Sequence, residues 1–138
     1  MVECEFCNIV ADKSPSNKIY EDENILAFAP LKKGIISKGH MLIIPKKHYS
    51  NIYDIPKEEL YHIMDSIKHI SQKLKDKFNA EGINLLHASG KVAQQSKFHF
   101  HIHLIPRYRD DGLDAWPKTG YEEDNFPNVY KEIADLFK

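Results

Sequence analysis

The amino-acid sequence predicts an α+β protein built on an antiparallel sheet of about five strands, with one long helix and a short N-terminal helix. Five short runs are rich in apolar and β-branched residues, and a long stretch between the third and fourth runs repeats its apolar residues at helical spacing. A chain of this length rarely holds two domains. We therefore treat residues 1–138 as one domain, with a core over about 4–107 and a C-terminal extension over 108–138.

Three of the predicted strands precede the long helix in the sequence, and two follow it. They are residues 18–20, 25–29, 40–45, 83–86 and 98–105. Pro30 ends the second strand and Pro45 the third, because proline cannot donate a ladder hydrogen bond. This order of elements is typical of an antiparallel sheet, and we expect the helices to pack on one side of it.

The long helix is predicted between Pro56 and Phe78. Its apolar residues recur every three or four positions, at Leu60, Ile63, Met64, Ile67, Ile70, Leu74 and Phe78. A short helix or turn is predicted over residues 4–12, and another short helix over 127–137. His62 and His69 fall between the apolar positions of the long helix, so we expect both to be exposed to solvent.

The charge balance and hydropathy exclude several classes of partner. The chain has 19 Lys and Arg residues against 20 Asp and Glu, which gives no electrostatic basis for binding nucleic acid or an anionic membrane. No apolar run reaches the ~20 residues of a membrane span, and the N-terminus lacks the features of a secretion signal. We expect a cytoplasmic protein (or a nuclear one in a eukaryote).

Three histidines alternate with apolar residues in the last predicted strand. His99, His101 and His103 would share one face, and the apolar residues from Phe98 to Leu104 would be buried on the other. At about 3.3 Å per residue the outer two lie roughly 13 Å apart, too far to share one metal with bonds of ~2.1 Å. Two adjacent rings could share a metal, or one could join ligands from elsewhere. A plain row of half-buried polar residues is the weaker alternative, because adjacent imidazoles repel when charged and need partners when buried.

The loop before these histidines has the composition of a phosphate site. Gly90, Gln95 and Ser96 could place N–H groups and a hydroxyl near the first histidines. A neutral imidazole beside such a cradle can attack phosphorus while the donors stabilise the developing charge. The chain has neither a P-loop nor a carboxylate cluster for magnesium, which disfavours the usual metal-assisted phosphoryl transfer.

The only two cysteines, Cys4 and Cys7, have the C-x-x-C spacing of half a zinc site. A redox role needs a βαβ context that this N-terminus lacks, while two plain free thiols remain an alternative. Zinc takes four ligands, and the histidines are the best remaining candidates.

The run from His99 to Ile105, HFHIHLI, resembles the signature of the histidine-triad family. Other segments resemble the Hint branch of that family in the same order along most of the chain. They are residues 4–10, 20–22, 26–28, 39–48, 95–96 and 105–107. The Lys-Lys-His run that ends at His48 lies at the distance from the triad that the family shows.

This resemblance implies a hydrolase that acts at the α-phosphate of purine nucleoside 5′-phosphoramidates. His101 would attack phosphorus and form a nucleotidyl-histidine, which water then hydrolyses. His103 would contact the phosphate, Ser96 would assist the leaving group, and His40 would support the hydrogen-bond network. The nucleotide-binding positions implied in this chain are Phe6, Ile9, Phe28, Leu31, Leu42, Gln95, Ser96, His101 and His103.

The resemblance also implies a metal site and a homodimer. In family members with an N-terminal C-x-x-C, zinc is held by residues that match Cys4, Cys7, His48 and His99. Four protein ligands leave no open position, so the zinc would be structural. The sheet would continue across the dimer, and residues 113–117 would either reach a neighbouring protomer's site or form an exposed aromatic tail.

Several positions depart from the family pattern. Pro30 stands where the family has an aspartate that binds the ribose, and Ala88 where it has an asparagine near the α-phosphate. Gln94 replaces a glycine, and the loop before Gly39 is slightly longer. Two other functions are therefore weighed: a nucleotide-binding or interaction module with little turnover, and a dinucleoside polyphosphate hydrolase.

Overall fold

Five antiparallel strands form a single sheet in a computed structural model that describes residues 3–118, 120–121 and 126–138. The strands are β1 (Lys18–Glu21), β2 (Ile25–Phe28), β3 (Met41–Pro45), β4 (Gly82–Leu86) and β5 (Ile102–Arg107). They lie in the order β1-β2-β3-β5-β4, so β1 and β4 are the edges. The predicted α+β class and its five-stranded antiparallel sheet are confirmed.

The two faces of the sheet are covered by different helices. Helix α2 (Lys57–Phe78) packs on one face, where the buried cluster is Ile25, Ala27, Met41, Ile43, Ile55, Ile63, Ile67, Ile70, Phe100, Ile102 and Leu104. Helix α1 (Glu5–Val10) packs on the other, where the cluster is Phe6, Ile9, Leu26, Phe28, Leu42 and Ile44. The prediction that the helices share one side is therefore wrong. Every residue of β2 and β3 is buried, so both faces of these strands need an apolar cover.

Helix α2 follows its predicted bounds within one residue and begins after Pro56. It ends at Asn79, whose left-handed φ of 60° lets the Ala80 N–H reach back to the Leu74 carbonyl at 3.1 Å. His62 and His69 are exposed on this helix, as predicted. In the described residues no helix is both long and apolar enough to cross a membrane.

The last strand differs from its prediction in a way that bears on the histidines. Residues 98–105 were expected to form it, but β5 starts at Ile102, so His99 and His101 precede the sheet. Phe98 was expected to be buried and is 48% exposed. Before Ile102, the carbonyls of His99 and His101 accept hydrogen bonds from histidine rings instead of from a neighbouring strand.

A polar clamp holds the segment that follows the sheet. The Arg107 guanidinium donates to the Asn84 Oδ1 at 2.7 Å and to both carboxylate oxygens of Asp111 at 2.9 Å. These hydrogen bonds hold the pKa of Asp111 well below its usual range. Farther on, Trp116 is exposed on this chain, and helix α3 (Phe126–Asp135) begins one residue before its predicted start and ends two residues before its predicted end.

Candidate functional site

Two triad histidines donate a ring proton to a backbone carbonyl. His99 Nε2 lies 2.8 Å from the Pro45 oxygen, and His101 Nδ1 lies 2.8 Å from the His99 oxygen. A carbonyl can only accept, so each of these nitrogens holds the proton of its neutral ring. The other nitrogen of each ring, His99 Nδ1 and His101 Nε2, is left with a free lone pair.

The third triad histidine has the opposite arrangement. The Ile36 N–H donates to His40 Nδ1 at 3.2 Å, so the proton of the neutral His40 ring sits on Nε2. That nitrogen lies 3.0 Å from His103 Nδ1 and donates to it, which places the His103 proton on Nε2. The His101 and His103 rings are adjacent, with centroids 5.2 Å apart. A nucleophilic nitrogen therefore stands beside an N–H donor, the pair needed to attack a phosphate and stabilise its oxygens.

Burial keeps these rings neutral. It lowers the pKa of His103 to about 4, with further lowering by the charges of His101, His40 and His87. Burial also lowers the pKa of His101, which the hydrogen bond to His99 partly opposes, and it lowers the pKa of His40. At neutral pH the His101 lone pair is available to an electrophile.

An apolar cluster lies against His101. The Phe6 ring meets the His101 ring edge to face, with centroids 5.3 Å apart, and packs on Phe28 in the same way. The predicted base-pocket residues Phe6, Ile9, Phe28 and Leu42 all belong to this cluster. Leu31 does not, because it lies on the loop after β2 and is 66% exposed.

The loop before the triad is organised by Gln95. Its buried side chain accepts from the Gly90 N–H at 2.8 Å and donates to the carbonyls of Ser50 and Lys97 at 2.7 and 3.0 Å. The Gly90 N–H was expected to face a phosphate, but it already donates its hydrogen bond to Gln95. Ser96 is exposed at the edge of a cleft of about 870 Å³, and among the described residues it has no hydrogen bond to a triad histidine.

The four predicted metal ligands converge. The ligand atoms of Cys4, Cys7, His48 and His99 all lie within 4.8 Å of one another. His99 Nδ1 is 3.4 Å from the Cys4 sulfur and 3.5 Å from the Cys7 sulfur, and His48 Nδ1 is 3.4 Å from the Cys7 sulfur. Ligands on a tetrahedral zinc, with bonds of 2.1–2.3 Å, are separated by about 3.4–3.8 Å. The arrangement fits a four-coordinate metal ion.

Local structure prepares these ligands. The Cys4 sulfur caps helix α1 by accepting the Cys7 N–H at 3.3 Å, which turns both thiols toward His99. Burial lowers the pKa of His99 to about 4, so its ring remains a neutral ligand. Burial and the neighbouring Cys4 thiol raise the pKa of Cys7 to about 11, so a bound cation has to displace its proton.

Sequence reasoning missed one histidine of this network. His87 follows β4, and its Nδ1 donates to the His101 carbonyl at 2.8 Å. The main-chain partners of His99 and His40, the Pro45 carbonyl and the Ile36 N–H, were also missed, because a residue pattern carries no signal for a main-chain acceptor or donor. For His87 a signal existed, since it directly follows the strand predicted over residues 83–86, just before the phosphate loop.

The depressed pKa of His103 predicts how stability depends on pH. A ring that titrates at 6.5 when unfolded and about 4 when folded binds more protons in the unfolded state between these values. The free energy of unfolding should therefore fall as pH drops from 6.5 to 4. His103→Asn keeps an acceptor for His40 but cannot titrate, so denaturant titrations across this range should show a shallower fall. His69→Asn, on the exposed face of α2, should keep the wild-type slope, and equal slopes for all three proteins would contradict the prediction.

Comparison with known proteins agrees with the triad. Residues 11–110 match the family model described as the HIT domain. The chain is 39% identical to Protein hit of Bacillus subtilis, over 95% of this chain and 92% of that protein. It is 34% identical to the adenosine 5′-monophosphoramidase HNT1 of Saccharomyces cerevisiae, covering 94% and 80%. It is also 37% identical to the adenylylsulfatase HINT3 of Arabidopsis thaliana, covering 82% of this chain and 56% of that protein.

Solved structures agree as well. SMU.412c from Streptococcus mutans superposes with a TM-score of 0.86 at 34% identity, covering 100% of this chain and 87% of that one. A zinc-bound histidine triad family protein from Mycobacterium smegmatis superposes with a TM-score of 0.75 at 31% identity, covering 96% and 94%. The resemblance seen in the sequence is thereby confirmed: this chain belongs to the HIT family.

Proposed function

We propose that this protein is a hydrolase that cleaves the P–N bond of purine nucleoside 5′-phosphoramidates through a covalent intermediate on His101. The observation behind the proposal is the fixed ring of His101, whose Nδ1 is held by the His99 carbonyl while Nε2 presents its lone pair beside His103. The names of the yeast and Arabidopsis relatives support it, since one is a phosphoramidase and the other an adenylylsulfatase.

In the first step His101 Nε2 forms a bond to the α-phosphorus. The P–N bond breaks, its electron pair stays on the departing amine, and the amine takes a proton from solvent through the Ser96 hydroxyl. The positive charge that develops on the His101 ring is stabilised by the His99 carbonyl, which already accepts its Nδ1 proton. His103 donates its Nε2 proton in a hydrogen bond to a phosphate oxygen without transferring it.

In the second step water attacks the same phosphorus. The P–Nε2 bond breaks, its electrons return to His101, and the water gives one proton to bulk solvent, so the product is the nucleoside monophosphate. His40 acts without touching the substrate. Its hydrogen bond to His103 Nδ1 keeps the His103 proton on Nε2, the nitrogen that faces the phosphate. The purine packs on the apolar cluster around Phe6, together with Leu31, and Gln95 shapes the phosphate loop.

Replacement of the nucleophile tests this mechanism. His101→Ala should lower the turnover of adenosine 5′-phosphoramidate by about 10³-fold or more, because no intermediate can form. Binding of adenosine monophosphate, measured by calorimetry, should change little, since the apolar cluster is intact. His69→Ala, on the exposed face of α2, is the matched control and should retain wild-type turnover.

Two results would contradict the mechanism or redirect it. A His101→Ala protein that keeps a third of the activity has no covalent route through this residue. A wild-type protein that binds the monophosphate but turns over neither the phosphoramidate nor a diadenosine polyphosphate is a binding module, and preferential cleavage of the polyphosphate makes it a dinucleoside polyphosphate hydrolase.

We further propose that the four-residue cluster of Cys4, Cys7, His48 and His99 binds a structural zinc ion. The separations of the donor atoms support this, as does the description of the mycobacterial relative as zinc-bound. The ion would tie helix α1 and the loop after β3 to the triad segment. It holds no position open for substrate, so its contribution is to folding.

Metal analysis and mutation test the zinc site. The purified protein should contain about one zinc ion per chain by elemental analysis. Cys4→Ser combined with Cys7→Ser should remove the zinc and lower the melting temperature by about 10 °C or more, while the rate per folded molecule falls much less. Full stability with lost activity would mean that the metal is catalytic, and a zinc-free wild-type protein from zinc-supplemented medium would contradict the assignment.

We also propose that two copies pair through strand β4. This edge of the sheet exposes Leu85 and Leu86 next to its free hydrogen-bonding groups, a combination typical of a strand that pairs with another chain.

Charge placed on that edge tests the dimer. Leu85→Glu combined with Leu86→Glu should shift the sedimentation coefficient from that of a dimer to that of a monomer. Ile19→Glu, on the exposed part of the opposite edge strand β1, is the control and should remain dimeric. A wild-type monomer at high micromolar concentration, or loss of the dimer only in the Ile19 variant, would contradict pairing through β4.

A further inference from the structure

We propose that His87 is a positioning residue that fixes the main chain of His101 so that its ring points in line at the phosphorus. This role rests on the hydrolase function proposed above and concerns a residue that does not touch the reacting atoms. Three contacts of the His87 side chain define it, one to the nucleophile's own peptide group and two that hold the His87 ring.

The first contact supplies a missing ladder partner. Strand β5 pairs with β3 only from Ile102 onward, so the peptide that joins His101 to Ile102 lies at the end of the sheet. There the His101 carbonyl accepts from His87 Nδ1 at 2.8 Å. The His87 side chain, which follows β4, thus donates to the His101 carbonyl the hydrogen bond that a neighbouring strand would otherwise supply.

The second contact, to Ser89, gives the other nitrogen of the ring a partner. His87 Nε2 lies 2.6 Å from the Ser89 hydroxyl oxygen, and that oxygen accepts the Ile52 N–H at 2.9 Å. Because the His101 carbonyl cannot donate, the His87 proton must be on Nδ1, and the Ser89 hydroxyl proton then goes to Nε2. The relay anchors the ring to the loop after His48, on a different part of the chain.

The last contact holds the plane of the ring. His87 stacks on Phe100, with centroids 4.5 Å apart and planes inclined by 30°. Phe100 is 1% exposed in the main core, and its N–H donates to the Tyr49 carbonyl at 2.6 Å. The main chain is therefore held from outside the sheet just before Phe100, by Tyr49, and just after His101, by His87.

The consequence for chemistry lies in the direction of the His101 side chain. Rotation of the peptide after His101 would tilt its Cα–Cβ bond and move Nδ1 away from the His99 carbonyl. The nucleophilic nitrogen would then lose both its line of attack and its fixed proton arrangement. A misplacement of about 1 Å can cost on the order of 10²-fold in rate.

Two amide substitutions separate positioning from packing. In His87→Asn the side-chain nitrogen can occupy the place of Nδ1 and donate to the His101 carbonyl, while in His87→Gln the longer side chain puts its amide where Nε2 stood, next to Ser89. We expect His87→Asn to keep the first-step rate within about threefold of wild type. His87→Gln and His87→Leu should lose about 30- to 100-fold in this rate, with KM changed by less than about threefold.

Rapid-quench experiments with adenosine 5′-phosphoramidate measure the rate of nucleotidyl transfer to His101 in each variant. The melting temperature of each variant is measured as well. A structural role alone would make the loss of rate follow the loss of stability. Equal rates in the asparagine and glutamine variants, or rates that simply track the melting temperature, would overturn the assignment.

A spectroscopic measurement decides the question if the wild-type protein turns over no phosphoramidate, which would itself refute the proposed function. Long-range proton–nitrogen spectra of the imidazoles report which nitrogen of His101 holds the proton. Wild type and His87→Asn should show the single Nδ1-protonated form, and His87→Gln and His87→Leu a mixture of both forms. In that case, a single Nδ1-protonated form in all four proteins would overturn the positioning role.

Discussion

The hydrogen bond from an imidazole N–H to a main-chain carbonyl is the interaction on which this site depends. It occurs three times in succession, from His99 to Pro45, from His101 to His99 and from His87 to His101. Each carbonyl lies where the β3–β5 ladder has ended, and a buried carbonyl without a partner costs about 1–3 kcal/mol. The rings therefore complete the main-chain bonding, and in doing so each one acquires a fixed orientation and a fixed proton.

The same interaction divides the work of adjacent residues. His99 donates through Nε2 and turns Nδ1 to the cysteines, while His101 donates through Nδ1 and keeps its lone pair on Nε2. The two rings are linked by one peptide oxygen, since the His99 carbonyl is the acceptor for His101. An ion bound by His99 would thus steady the acceptor that orients the nucleophile, which connects a structural metal to catalysis without placing it in the reaction.

The sequence allowed the sheet and the long helix to be predicted, because each leaves a period that can be read directly. For the metal ligands, the sequence marked only Cys4 and Cys7 by spacing and pointed to His48 and His99 through the resemblance to the HIT family. It did not allow the start of β5 to be predicted. The alternation of apolar and polar residues over 98–105 continues through His99 and His101. It gives no sign that the carbonyls of these two residues bond to histidine side chains and not to a neighbouring strand. The prediction that the helices share one side of the sheet was wrong for a related reason: a continuously apolar strand such as β3 indicates burial on both sides but not which helix covers each.

Two of the departures from the family pattern, Pro30 and the longer loop before Gly39, lie outside the histidine network. The loop that connects β2 to β3 begins near Pro30, and hydrogen bonds hold its C-terminal end close to His40. There the Ile36 N–H sets the proton of His40, and the Ser37 hydroxyl donates to the Pro106 carbonyl at 2.5 Å. The additional length can therefore be accommodated near Leu31 without disturbing the relay to His103. The histidine network and the loop between β2 and β3 can therefore change independently, and a chain that alters the loop can keep the hydrogen bonds of the network.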